Sequence, residues 1–245
     1  MRESQNFTRE CFVLRLDISG FFMGIDKSIL FNQIILGISK KKWKEIPDKD
    51  IAKFLIQKIV FQNPLENTHY KSPKNAWDGL PQNKSLKFAK PGCGLPIGNL
   101  TSQLFGNIYL NDLDHYIKRE LKIRSYGRYV DDMVLVHENK DVLLESIPKI
   151  RRFLKEKLNL ELHPKKISLQ PAYNGFLFLG AYVLPYRMYP SRRIVKNFKE
   201  SMRGNYLPKK QKELEKSYLG LFSHFDAYKL SQKIIFKHEI QGETL

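Results

Sequence analysis

The chain has 245 residues, with 42 Lys and Arg against 25 Asp and Glu, a formal net charge of +17 and 42% hydrophobic residues. That hydrophobic content suits a folded core and argues against disorder, while so large a positive charge points to a polyanionic partner, nucleic acid before an anionic membrane surface. No run of about 18 apolar residues and no apolar signal core is present, and Cys11 and Cys93 are too few for a disulfide framework or a thiolate zinc site, so the chain reads as cytoplasmic with no membrane partner.

The first element is an apolar run, Cys11 to Leu16, that stops at Asp17. It predicts a buried strand delivering a carboxylate at its C-terminal end; the plainer alternative is that Asp17 caps a turn before Gly20. A helix is expected from Asp26 to Ile38, with Asp26 as its N-cap and Ile29, Leu30, Ile34 and Ile38 on its apolar side. Lys40, Lys41 and Lys42 form a basic connector. Asp50 is then expected to cap a second helix, whose Ile51, Phe54, Leu55 and Ile59 have the spacing of core residues. From Gln62 to Pro91 the composition shifts to Asn, Pro, Lys and Gly, a long excursion of the kind that carries function or mobility.

Residues Gly92, Gly94 and Gly98 follow as G-x-G-x-x-x-G interrupted by Pro96, which is neither a dinucleotide fingerprint nor a Walker loop. A glycine turn feeding a helix still lets backbone approach a substrate closely. The helix is expected to run to about residue 120 with Leu104, Ile108, Leu113 and Ile117 inward; on pattern alone Gln103 is a solvated residue.

Arg128 to His137 reads as a tight hairpin with Asp131 and Asp132 at its tip. Adjacent carboxylates raise each other's cost of ionisation, and a cation removes that cost. With a third carboxylate the site suits Mg²⁺; taken alone, the pair reads equally as a polar turn. Next come an amphipathic helix from Asp141 to Leu158, kinked or restarted at Pro148 with Ser146 as a cap, a strand after a turn at Pro164, and a hairpin over Gly175 to Leu184. From Tyr186 to Leu245 there are 13 Lys/Arg against 6 Asp/Glu, with Leu214, Tyr218, Leu221, Phe222 and Phe225 at helical spacing: a small basic helical appendage.

If Asp17 and the Asp131–Asp132 tip share one sheet, three carboxylates meet in a strongly basic protein. That constellation suggests two-metal phosphoryl transfer on a nucleic acid. The arrangement resembles the palm of a reverse transcriptase. Tyr129-Val130-Asp131-Asp132 is similar to the family's Y-x-D-D box, Leu16 to Phe22 to its first acidic motif, Gly94 to Gly98 to its glycine motif, and Phe178-Leu179-Gly180 to its primer grip, while Lys166 falls where the family carries a lysine on a flexible turn. The motifs stand in the family's order and span about residues 10 to 230. Ile97 in place of the usual Gln, and the run Ile97 to Gln103, are most similar to the enzymes of diversity-generating retroelements; group II intron and retron enzymes are the related alternatives.

The resemblance implies an α+β fold: a palm of antiparallel sheet backed by helices over residues 1–185, with a residual fingers segment at about 39–92, then a small helical thumb over 186–245. It implies that Asp17 and Asp131 bridge two Mg²⁺ ions, for which Mn²⁺ can substitute, with Asp132 and the Ile18 carbonyl as further ligands. Lys166 would donate a proton to pyrophosphate or offset its charge. Phe22 would be the steric gate at the sugar 2′ position, and Gly98, Asn99, Gln103 and Tyr129 would face nucleotide or template. Ile97 would contact the nascent pair with no hydrogen bond to offer, a source of low fidelity. Phe178, Leu179 and Gly180 would grip the primer. The implied partners are an RNA template, a DNA or RNA primer, deoxynucleoside triphosphates and an accessory protein, in a bacterial or phage setting. Fingers strands before the first acidic motif are expected to be missing, because 16 residues precede Asp17. The other readings are a truncated palm and thumb that binds template–primer without polymerising, and a metal-dependent nuclease, disfavoured because no histidine or lysine adjoins the carboxylates in sequence as a general base.

Overall fold

The computed structural model of the chain describes residues 9–39, 48–66, 72–73, 78–204 and 206–232. It divides into two compact units, Phe12–Leu169 and a second formed by the stretch up to Cys11 with Gln170 onwards.

The first unit is built on an antiparallel sheet. Strand β1 (Phe12–Leu16) pairs with β3 (Asp132–His137), which pairs on its other edge with β2 (Ser125–Tyr129); β4 (Ser168–Pro171) flanks β1 and carries the chain into the second unit. Register follows alternation. Leu14 lies opposite Leu135 and Leu16 opposite Met133, all four buried, so this face packs on helices. Residues one step along, Arg15 and Val134, face the other way. Asp17 follows Leu16 directly, so it falls on that second face beside Asp132, the neighbour of Met133.

The backing helices are α2 (Lys27–Ser39), α4 (Leu100–Tyr109), the short α5 (Asn111–His115), whose chain continues as a π-helical turn over Tyr116–Glu120, and α6 (Lys140–Leu158). Asp26 caps α2 as expected: its Oδ1 accepts from the Ser28 and Ile29 amides at 2.9 and 3.2 Å. α6 runs unbroken through Pro148, and Ser146 caps nothing; its hydroxyl donates to the Leu143 carbonyl at 2.7 Å inside the helix. The carbonyl that Pro148 cannot serve belongs to Leu144, an exposed residue that water can reach. The cap of α6 is Asn139, whose side chain accepts from the Asp141 amide.

Three further expectations, on the helix that follows α2 and on α4, are corrected. The cap of α3 (Lys49–Phe61) is Asp48, whose Oδ1 accepts from the Asp50 and Ile51 amides, not Asp50. Ile51, Phe54, Leu55 and Ile59 are exposed; α3 reaches the core through Val60 and the partly buried Ile56. Buried Lys27 serves the C-terminal end of this helix, donating from Nζ to the Gln62 carbonyl at 2.9 Å. Finally, Leu104 is exposed, and the inward positions of α4 are Phe105 and Tyr109. The basic connector at 40–42 and part of the 62–91 excursion lie outside the described residues.

The second unit carries a three-stranded antiparallel sheet, β5 (Phe176–Phe178), β6 (Ala181–Leu184) and β7 (Arg187–Pro190), followed by α7 (Arg192–Arg203) and α8 (Pro208–Phe222). The expected hairpin over 175–184 is β5–β6. Residues 187–190, read from sequence as the start of a helical segment, instead form β7. The two helices enclose a small core of Phe198, Phe222 and Ala227, with the Phe198 and Phe222 rings edge-on at 5.1 Å. Among the described residues no helix is long and apolar enough to cross a membrane.

Candidate active site

The register brings the carboxylates to the same end of the sheet. The β2–β3 hairpin closes with Tyr129 opposite Asp132, leaving Val130 and Asp131 as its two turn residues. Across the sheet, the end of β1 is held on its outer side by an isolated bridge at Ile18 and Leu162, in which the Ser19 amide donates to Glu161 and the His163 amide to the Asp17 carbonyl. The Ile18 carbonyl takes no part in that bridge.

Asp17 is buried, and its Oδ2 accepts from Lys166 Nζ at 2.7 Å, across 149 positions of sequence. Lys166 itself is a surface residue, with 57% of its side chain exposed. Its pKa is pushed up, first by the hydrogen bond to Asp17 and then by the charges of Asp17, Asp132 and Asp131, so it stays an ammonium. Asp131 is raised by desolvation and then by the charges of Asp17 and Asp132. Asp132 is raised by desolvation, then by the charge of the neighbouring Asp17 carboxylate. The three carboxylates therefore share one field, and a cation has entered it in the form of the Lys166 ammonium.

Among the described residues no three His, Cys, Asp or Glu side chains converge closely enough to enclose an ion as they stand. The donor chemistry is nonetheless suited to a hard divalent cation: carboxylate oxygens that repel one another, at a position already attracting a positive charge.

Phe22 lies in α1 (Phe21–Gly24), its ring 5.2 Å from that of Phe21. Two glycines set this region. Gly20 takes φ +56°, and a Cβ there would stand 2.9 Å from the Asn83 carbonyl oxygen. Gly106 lets α4 approach, since a Cβ would come within 3.1 Å of the Phe21 ring and 3.4 Å of the Phe22 ring. The glycine turn is fastened to the same segment: the Leu95 amide donates to the Phe22 carbonyl at 2.8 Å and the Gly94 amide to that of Ile25 at 2.9 Å. Beyond this anchor Ile97, Gly98, Asn99 and Gln103 are all exposed, Ile97 at 67%, as are Leu100 and Leu104. Tyr129 is also exposed.

Phe178, Leu179 and Gly180 belong to the second unit. Phe178 pairs with Ala181, and Leu179 and Gly180 form the two-residue turn with φ of +50° and +83°. Both angles are positive, as in the hairpin turns that match strand twist. The φ of +83° favours glycine at position 180, and a Cβ there would also press on the tip of the Ile194 side chain of α7 at 2.9 Å.

Sequence reasoning missed the support under the hairpin. Arg128 donates from Nε and Nη2 to the two carboxylate oxygens of Asp114, at 2.8 and 2.6 Å, and from Nη1 to the Val130 carbonyl at 2.9 Å. In the sequence Arg128 is simply the first residue of the hairpin stretch. The signal available was alternation, which puts Tyr126 and Arg128 on the face of β2 opposite to Tyr129.

The comparisons with known proteins agree with this fold. The sequence matches the family described as reverse transcriptase (RNA-dependent DNA polymerase) over residues 2–183. It is 26% identical over 146 residues to Protein YkfC of Escherichia coli (strain K12), covering 46% of this chain and 38% of that protein. The fold is similar to apo telomerase from Candida tropicalis, with a TM-score of 0.57 and 14% identity over 89% of this chain and 38% of the telomerase. It is also similar to telomerase from the same organism in complex with a fragment of telomeric RNA, with a TM-score of 0.52 and 11% identity over 92% of this chain and 40% of that one. The chain thus spans 38 to 40% of the length of these relatives. On the family match, which covers most of its length, the chain belongs to the reverse transcriptase family.

Proposed function

We propose that the chain is the palm and thumb of an RNA-directed DNA polymerase that makes cDNA from an RNA template, of the diversity-generating retroelement type. The observation that carries this is the shared field of Asp17, Asp131 and Asp132 with a cation already drawn to Asp17. Asp17, Asp131 and Asp132 would hold Mg²⁺ or Mn²⁺, with the Ile18 carbonyl as a further ligand, and the ions would supply activation of the attacking hydroxyl and neutralisation of the leaving phosphates. Lys166, whose ammonium lies on Asp17 at 2.7 Å, would neutralise or protonate the pyrophosphate group.

The remaining residues position substrate. Phe22, backed by Phe21 and by the close approach of Gly106, is a ring that cannot retreat and so excludes a ribose 2′-hydroxyl by volume. Phe22→Ala is expected to admit ribonucleotides, lowering the selectivity for deoxynucleotides by about tenfold or more, the scale for losing steric discrimination in a pocket. Competing incorporation of dNTP and rNTP on one template measures it, and unchanged selectivity would sink the gate. Exposed Ile97, with Gly98, Asn99, Gln103 and Tyr129 around it, would meet the nascent base pair; lacking a hydrogen-bonding group, Ile97 leaves mispairs unpunished there. Sequencing of cDNA made by the wild type and by Ile97→Gln tests this, with errors concentrated opposite template adenine as the retroelement signature.

The second unit would hold the duplex. Phe178, Leu179 and Gly180 would contact the primer, and Arg192, Lys196, Lys199 and Arg203 recur along one side of α7 at spacings of four, three and four residues. Such a stripe can follow phosphates. Replacing all four by Gln is expected to weaken template–primer binding and to flatten its dependence on log salt by about 3 to 4. Binding isotherms between about 50 and 200 mM salt read that slope, and an unaltered slope would place the contacts elsewhere.

A further inference from the structure

The geometry points to Arg128 as a positioning residue that aims the Asp131–Asp132 tip, working from helices α4 and α5 beneath the sheet. The inference rests on reading those carboxylates as the metal ligands.

The hairpin turn begins at Val130 with φ +56°. A β-branched residue is disfavoured there, because its side chain crowds the backbone; glycine is the usual occupant of a positive φ in such turns. The turn therefore does not hold itself, and something must fix the Val130–Asp131 peptide. Arg128 Nη1 donates to the Val130 carbonyl at 2.9 Å. Orienting that carbonyl orients the peptide plane, and with it the direction of the Asp131 N–Cα bond and so the Cα that carries the carboxylate side chain.

The guanidinium is itself fixed. Nε and Nη2 fork onto Asp114 of α5 at 2.8 and 2.6 Å, and Nη1 also reaches Asn107 Oδ1 of α4 at 3.2 Å. Asp114 Oδ1 additionally accepts from the Tyr126 hydroxyl at 2.7 Å, so the carboxylate cannot swing away. The Arg128 side chain is 8% exposed. A planar fork that holds a carboxylate bidentately on one edge and a carbonyl on the other is available to arginine and not to lysine, whose compact ammonium has no fixed fork. Helices at the back of the palm thus hold the turn of the edge hairpin through one side chain.

The test compares the wild-type 245-residue chain with Arg128→Lys, Asp114→Asn, Asp131→Asn and Tyr109→Phe. Mn²⁺ binding is followed by loss of the free-ion EPR signal, thermal unfolding by circular dichroism, and single-nucleotide extension gives kcat and the dNTP KM. Arg128→Lys and Asp114→Asn are expected to fold, to bind Mn²⁺ about tenfold or more weakly, and to lose kcat by a similar factor while KM changes little, the scale of a lost charged hydrogen bond. Tyr109→Phe, a buried change whose hydroxyl bonds go to Asp26 and Leu158 and not to Arg128, Asp114 or the turn, is expected to lower the unfolding temperature with Mn²⁺ affinity retained. The proposal is overturned if Arg128→Lys folds with wild-type Mn²⁺ affinity, if Tyr109→Phe lowers that affinity equally, or if neither Arg128→Lys nor Asp114→Asn folds, since the pair would then be holding the palm as a whole. Unchanged Mn²⁺ affinity in Asp131→Asn would instead refute the reading of the metal ligands. Loss in Asp131→Asn with none in Arg128→Lys refutes the clamp alone.

Discussion

Asp131→Asn is expected to abolish primer extension on an RNA template, by about 10²-fold at the least, the scale of removing one preorganised electrostatic group from a reacting centre. Duplex binding should stay within about twofold of wild type, because affinity for a nucleic acid backbone is set by phosphate contacts elsewhere. Asparagine keeps the size and one acceptor oxygen of the side chain and removes its charge, so the comparison isolates what the carboxylate supplies. Extension by wild type and variant on the same primed RNA, beside a filter-binding measurement, checks both halves. Synthesis that survives the change would place the reacting centre elsewhere.

The same variant has an opposite effect on stability. The pKa of Asp131 in the fold lies above its ordinary value because ionisation is opposed by desolvation and by Asp17 and Asp132. The folded state then holds the proton more tightly than the unfolded chain, so stability falls as pH rises from the ordinary aspartate range through the raised value. At neutral pH the ionised side chain is a standing cost in the metal-free protein. Metal-free Asp131→Asn should accordingly melt at the same temperature as wild type or above it, and added Mn²⁺ should raise the melting temperature of the wild type more than that of the variant.

How far the sequence revealed this site depends on the range over which each residue acts. Asp17, Asp131 and Asp132 were legible because each terminates or tips a strand whose apolar alternation is local, and Asp26 was legible because a cap and its helix are contiguous. Ile51, Phe54, Leu55 and Ile59 misled because periodicity shows that a face is apolar without showing what it meets; the side of α3 that packs carries Ile56 and Val60. The inward face of α4 was misjudged by one position, Leu104 for Phe105, because leucines, isoleucines and aromatics crowd both sides of that helix. Alternation could place Arg128 on one face of β2 but could not pair it with Asp114, since two charged residues 14 positions apart on different elements are indistinguishable from solvated ones until the helix and strand are set side by side. Tyr109 was passed over for the same reason: its hydroxyl partners lie 83 and 49 positions away.

Tyr109 is where the largest loss of stability is expected. It is fully buried in α4, and its hydroxyl donates to the Leu158 carbonyl at 2.7 Å while accepting from the Asp26 amide at 3.2 Å. Its own carbonyl accepts from Gln33 Nε2 at 3.3 Å. One side chain thus joins the start of α2, the body of α4 and the end of α6. Burial pushes the phenol pKa far up, so the hydroxyl remains a donor throughout the working pH range. Tyr109→Phe leaves the Leu158 carbonyl and the Asp26 amide without that partner and should cost about 1–3 kcal/mol. Tyr109→Ala adds a cavity at the centre of the core and should cost about 3–5 kcal/mol. Urea unfolding curves of the two variants give these values, and a phenylalanine variant as stable as wild type would show that the hydroxyl bonds contribute nothing net. The consequence reaches the site through Asp26, which directly follows the segment whose Phe22 and Ile25 carbonyls hold the glycine turn. Loosening Asp26 frees the residue proposed as the sugar gate together with the turn that presents Ile97, so the alanine variant should lose discrimination between deoxynucleotides and ribonucleotides at temperatures where its palm is still folded.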